Sequence, residues 1–83
     1  MRQDTILELI AGDRPGLLSE VGKVFLAERV DVVTARIMTI GERAEDVFYV
    51  TDDRGQPLDE EARLRLQDRL TEALDRREAA KIA

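Results

Sequence analysis

Eighty-three residues make one domain, and a chain this short buries only about 60% of the surface its unfolded form exposes. It has no Cys and no His, which excludes disulfides, thiolate metal sites, thiol nucleophiles, the commonest general base and the commonest transition-metal ligand. The net charge of −5 opposes a phosphate backbone, and the 4% aromatic content offers little surface for base stacking, so no nucleic-acid partner is expected.

No run approaches the roughly 20 apolar residues of a membrane helix, so no membrane partner is expected. Residues 1–30 lack a basic n-region, a continuous apolar stretch and a cleavage site, so a signal peptide is not expected. The absence of Cys fits a cytoplasmic location.

Thr5 to Ala11 is short, β-rich and stopped by Gly12, and it reads as a first strand with Leu7, Leu9 and Ala11 on one face. Gly12-Asp13-Arg14-Pro15-Gly16 is the strongest punctuation in the chain. Pro15 suits a first helical turn, where its missing N–H is not needed, and Asp13 can accept from the first free amides. A helix is predicted from about Pro15 to Arg29, with Leu17, Leu18, Val21, Val24 and Phe25 as its apolar stripe.

Val32 to Ile40 is β-branched and reads as a second strand, with Val33, Ala35, Ile37 and Thr39 on one face and Thr34, Arg36, Met38 and Ile40 on the other. Gly41 begins a hairpin turn, and Ala44 to Thr51 is a third strand with Phe48 and Val50 inward. After the loop Asp52–Pro57, Asp59 opens an acidic first turn that suits a helix dipole. Ala62, Leu66, Leu70, Ala73 and Leu74 give that helix its stripe. Asp75 to Ala83 is charged and alanine-rich and reads as a frayed helical tail.

The fold class is therefore α+β. A single domain, 1–83, has its core over about 4–74 and a tail over 75–83. The order βαββα gives an antiparallel sheet with two helices on one face, the split βαβ arrangement without its last strand. The expected strand order is two–three–one, with strand one at the edge and association through the sheet edge or the first helix.

Three clusters could carry chemistry. The Asp13–Gly16 loop offers helix N–H groups to a carboxylate, and Asp13 to an amine, so it could hold both ends of an α-amino acid. An ordinary capped helix start accounts for the same residues. Glu42, Glu45 and Asp46 could bind Mg²⁺ or do acid–base work, but in a hairpin turn they read as a solvated cluster. Phe48 and Tyr49 read as core packing and an exposed tyrosine, not an RNA-stacking surface. Nucleophilic catalysis has no base to support it, and no catalytic residue is expected.

The run Asp13-Arg14-Pro15-Gly16-Leu17-Leu18, with Val21, Phe25 and Val32 following, resembles the opening of an ACT domain. The segment from Ala35 to Phe48, and Arg69 to Leu74, resemble the last ACT domain of the bifunctional enzymes that add UMP to the PII nitrogen-signalling protein and remove it. The resemblance covers about residues 4–74. It implies a ferredoxin-like fold and a regulatory role, with glutamine sensed here and catalysis, using UTP and Mg²⁺, in other domains of the parent. No cofactor is implied within this chain. Implied partners are a second ACT domain, the parent's catalytic domains and PII. The implied ligand-binding residues are Asp13, Arg14, Pro15, Gly16, Leu17 and Leu18, joined by Asp31, which stands where many amino-acid-binding members have Asn. Asp can accept from an amine but cannot donate to a carboxylate. An alternative reading is a ligand-free ACT–ACT module that relays a signal sensed elsewhere.

Overall fold

The computed structural model describes residues 4–12, 16–74 and 78–82. They form β1 (Thr5–Gly12), α1 (Leu17–Ala27), β2 (Asp31–Ile40), β3 (Arg43–Thr51), α2 (Glu60–Ala73) and β4 (Ala79–Ile82). All neighbouring strands are antiparallel, in the order β2-β3-β1-β4.

Residues directly opposite in an antiparallel ladder share a face. Leu7 and Leu9 pair with Phe48 and Asp46, and Thr5 pairs with Val50. On that face Leu7, Leu9, Ala11, Phe48 and Val50 meet Leu17, Val21 and Phe25 of α1 and Leu66 and Leu70 of α2 in one core. Both helices thus lie on one side of the sheet, as the order of elements predicts. The Phe25 and Phe48 rings meet edge to face at 5.5 Å, an arrangement that aromatic quadrupoles favour.

One helix end and one loop show how local chemistry sets the elements. Asp59 caps α2, its carboxylate accepting from the Ala62 backbone N–H at 2.8 Å. Upstream, the Asp52 carboxylate accepts from the Arg54 and Gln56 N–H groups at 2.9 and 2.8 Å, which holds its Oδ1 against a tight loop and lowers its pKa.

Three expectations are corrected. The segment 75–83 does not continue the helix as a frayed tail. Leu74 is extended (φ −95°, ψ 152°), and Ala79–Ile82 pairs with Leu7–Ile10 as a fourth strand. The fold therefore has its last strand, β1 is central rather than an edge, and the core extends beyond residue 74 to Ala80 and Ile82. Segments this short are decided by the partner available to them, and the unpaired edge of β1 supplies one. Second, Leu18 does not join the α1 stripe, being 49% exposed, because α1 begins at Leu17 and turns Leu18 outward. Third, β2 is irregular: the pairing jumps from Val32 to Thr34, leaving Val33 as a bulge. Ala35, Ile37 and Thr39 still share one face and Thr34, Arg36, Met38 and Ile40 the other.

Candidate functional site

The chain enters α1 through Gly16, whose backbone is left-handed (φ 83°, ψ −4°). Glycine adopts that conformation without the penalty a Cβ brings, and a Cβ here would meet nothing within 4 Å. Backbone conformation, and not protein crowding, therefore asks for glycine. Gly16 stands at the N-cap position and has no side chain of its own to cap the helix. The Gly16 carbonyl accepts from Glu20 N–H at 3.0 Å, which closes the first turn of the helix. Of the expected ligand residues, Leu17 is buried and anchors the helix in the core, whereas Gly16 and Leu18 are exposed. Asp13, Arg14 and Pro15 lie outside the described residues.

Asp31 is exposed and opens β2 opposite Thr51. Gly12, which leads into the Gly16 loop, lies opposite Arg43 at the other end of β3. Eight residue steps separate Arg43 from Thr51, about 26 Å of strand. One amino acid cannot touch both the Gly16 loop and Asp31 within a single copy.

The hairpin carboxylates do not form one solvated cluster. Glu42 is exposed in the turn, while Glu45 and Asp46 are successive residues of β3 and point to opposite faces. Asp46 is 3% exposed, and among the described residues its Oδ1 has no hydrogen-bond partner. Burial pushes its carboxyl above the usual carboxylate range. The signal was present in the sequence: Asp46 is in phase with the inward Phe48 and Val50. No group of three acidic side chains placed to hold a metal ion occurs among the described residues.

Two other features bear on binding. An open hollow of about 270 Å³ lies between α2 and β4, lined by Gln67, Thr71, Leu74, Glu78, Ala79 and Ala80. The Gln67 amide already donates to the Ala80 carbonyl at 3.0 Å, so this polar group serves the α2–β4 contact. The outer strand β2 leaves Val32, Ile37, Met38 and Ile40 between 45% and 58% exposed. Tyr49, on the outer sheet face, is half-buried and not fully exposed as the sequence suggests. No helix among the described residues is long and apolar enough to cross a membrane.

Comparison with known proteins agrees with this architecture. The ACT domain family model matches residues 5–76. The bifunctional uridylyltransferase/uridylyl-removing enzyme of Pseudomonas aeruginosa is 53% identical over 75 residues, covering 89% of this chain and 8% of that enzyme. The enzyme of the same name from Azotobacter vinelandii gives the same identity and coverage. The chain therefore spans less than a tenth of the length of these curated relatives. Among solved structures, an ACT domain protein from Streptococcus pneumoniae superposes with a TM-score of 0.72 at 12% identity, over 96% of this chain and 86% of that one. The ACT domain of GTP pyrophosphokinase from Chlorobium tepidum gives 0.70 at 10% identity, over 98% of this chain and all of that one. With the family model matching most of the chain and the four-stranded, two-helix fold in place, the chain belongs to the ACT domain family, as a regulatory domain.

Proposed function

We propose that this chain is the glutamine-sensing regulatory domain of a bifunctional PII uridylyltransferase/uridylyl-removing enzyme. The observation that carries the reading is the 53% identity over 89% of the chain to enzymes of that name. On this reading, glutamine favours removal of UMP from PII and its scarcity favours addition. The UTP and Mg²⁺ chemistry belongs to other domains of the parent, and the chain works in the cytoplasm.

The start of α1 at Gly16 supports an amino-acid ligand, because the first N–H groups of a helix and its dipole attract a carboxylate. The required energy is small: millimolar affinity is about −4 kcal/mol, within reach of a few hydrogen bonds. The separation of Gly16 from Asp31 means that Asp31 joins such a site only from a second ACT domain. Ligand binding would then be coupled to the arrangement of two domains, and differential affinity for two arrangements is what a ligand needs to shift a population.

The exposed apolar side chains of β2 favour a second reading, a module that pairs with another ACT domain and binds no ligand itself. An amide-shift titration with glutamine separates the two. The sensor reading expects saturable shifts at residues 13–18 at millimolar glutamine. Unchanged spectra, together with concentration-dependent shifts along β2, would leave only the interaction module.

A further inference from the structure

The sheet ends on one side at β4, whose outer edge meets no further strand among the described residues. An open strand edge is a template for another strand. α2 lies along this edge and runs opposite to β4, since Arg63 and Leu64 stand beside Ile82 while Thr71 and Leu74 stand beside Glu78. Gln67 marks the middle, its amide donating to the Ala80 carbonyl at 3.0 Å. On one side of Gln67 is the open hollow of about 270 Å³ that Thr71, Leu74 and Glu78 line. On the other is a hollow of about 100 Å³ at Arg63, Leu64 and Ile82. Leu64, Gln67, Thr71 and Leu74 recur at the spacing of one helix face. Leu64 is 59% exposed, so this face carries an apolar knob at one end and an unfilled hollow at the other.

A two-fold axis brings the knob to the hollow. With the axis on Ala80, normal to the sheet, two β4 strands pair antiparallel and all helices stay on one side. Ile82 then falls opposite Glu78 of the second copy, and Lys81 opposite Ala79. An axis on Lys81 would set two ammonium groups side by side, and one on Ala79 would carry Lys81 and Ile82 past the start of the facing strand. An axis between residues would set inward side chains against outward ones. In the remaining register, the end of α2 with Arg63 and Leu64 faces the end with Thr71, Leu74 and Glu78 of the second copy. Leu64 meets the larger hollow, which is roomy enough for its side chain and apolar at Leu74 and Ala79. Arg63, held loosely at 3.6 Å by the exposed Glu60, meets a carboxylate of the second copy.

We infer that two copies of this chain join through β4 and α2 into a symmetric dimer with one eight-stranded sheet. Leu64 of each copy fills the α2–β4 hollow of the other, and Arg63 pairs with Glu78 across the axis. Each contact occurs twice, as an isologous interface requires. The dimer forms at the edge opposite β2, leaves β2 open and does not depend on glutamine.

Sedimentation equilibrium of the 83-residue chain from micromolar to millimolar concentration should show a monomer–dimer equilibrium. Amide resonances that move with protein concentration should be those of Ala79–Ile82 and the Gln67 side chain. Leu64→Glu, at an exposed position outside the core, should weaken dimerisation at least about tenfold, the scale of one well-packed interface side chain. Arg63→Glu and Glu78→Arg should each weaken it, and the double variant should recover much of the loss, which a merely structural role would not give. Ile40→Glu, on the exposed β2 edge, is the control and should leave dimerisation unchanged. A strict monomer at millimolar concentration would overturn the inference. So would wild-type dimerisation in Leu64→Glu, a double variant no tighter than the single ones, or a dimer that dissociates with Ile40→Glu instead.

Discussion

The backbone N–H of Leu58 donates to the Thr5 hydroxyl oxygen at 3.0 Å, joining residues 53 positions apart inside the protein. Thr5 begins β1 and Leu58 leads into α2, and both are buried. The contact fixes the long loop after β3 against the first strand and so sets where α2 starts. Thr5→Val keeps the shape and removes the acceptor, leaving a buried N–H unsatisfied. A loss of roughly 1–3 kcal/mol in denaturant unfolding is expected, with Thr5→Ser retaining most of the stability.

Asp46 should make stability depend on pH in an unusual direction. Its carboxyl is pushed up by burial, so the folded state holds the proton more tightly than the unfolded one. Its favourable contribution is full below the ordinary carboxylate value of about 4 and is lost as pH rises through the raised folded value. Asp52 has the opposite sign: its pKa is lowered by the Gln56 and Arg54 N–H groups, so its contribution is present above about 4 and is lost as pH falls through the lowered value. Asp46→Leu should therefore raise stability at pH 7 by about 1 kcal/mol and flatten the pH profile above pH 4. Equal pH profiles for wild type and Asp46→Leu would show that this carboxyl is not perturbed.

Much of this fold is legible in the chain because local and global signals agree. Leu7, Leu9 and Ala11 alternate as a half-buried strand does, and Asp59 stands where a cap belongs. The fourth strand is not legible, because Ala79-Ala80-Lys81-Ile82 has no strand propensity of its own and no Gly or Pro separates it from α2. It exists through pairing with β1, a tertiary fact. The candidate site divides in the same way. Gly16 announces a turn, whereas the burial of Asp46 was hidden by two neighbouring hairpin glutamates, although its alternation with Phe48 and Val50 carried the signal.

Removing β4 tests its pairing directly. A chain ending at Leu74 leaves the Leu7–Ile10 edge open and uncovers the core where Ala80 and Ile82 pack. It should melt at lower temperature and self-associate more, because an open strand edge is a template for another chain. Sedimentation and thermal unfolding read both. Unchanged values would mean that Ala79–Ile82 contributes nothing to the sheet.

The last prediction separates strain from recognition at Gly16. Its φ of 83° is left-handed, so Gly16→Ala should cost about 1–2 kcal/mol, although the new Cβ touches no protein atom. Gly55 provides the matched comparison. Its φ is 78°, a Cβ there also meets nothing within 4 Å, and it lies in the loop before α2, far from the start of α1. Gly55→Ala should therefore lose similar stability and keep its glutamine response. If the ligand lies against the backbone at the head of α1, Gly16→Ala should weaken glutamine binding beyond what its stability loss explains, and Gly16→Val should abolish it. Equal glutamine affinities for Gly16→Ala and Gly55→Ala, at equal fractions folded, would place the ligand away from this loop.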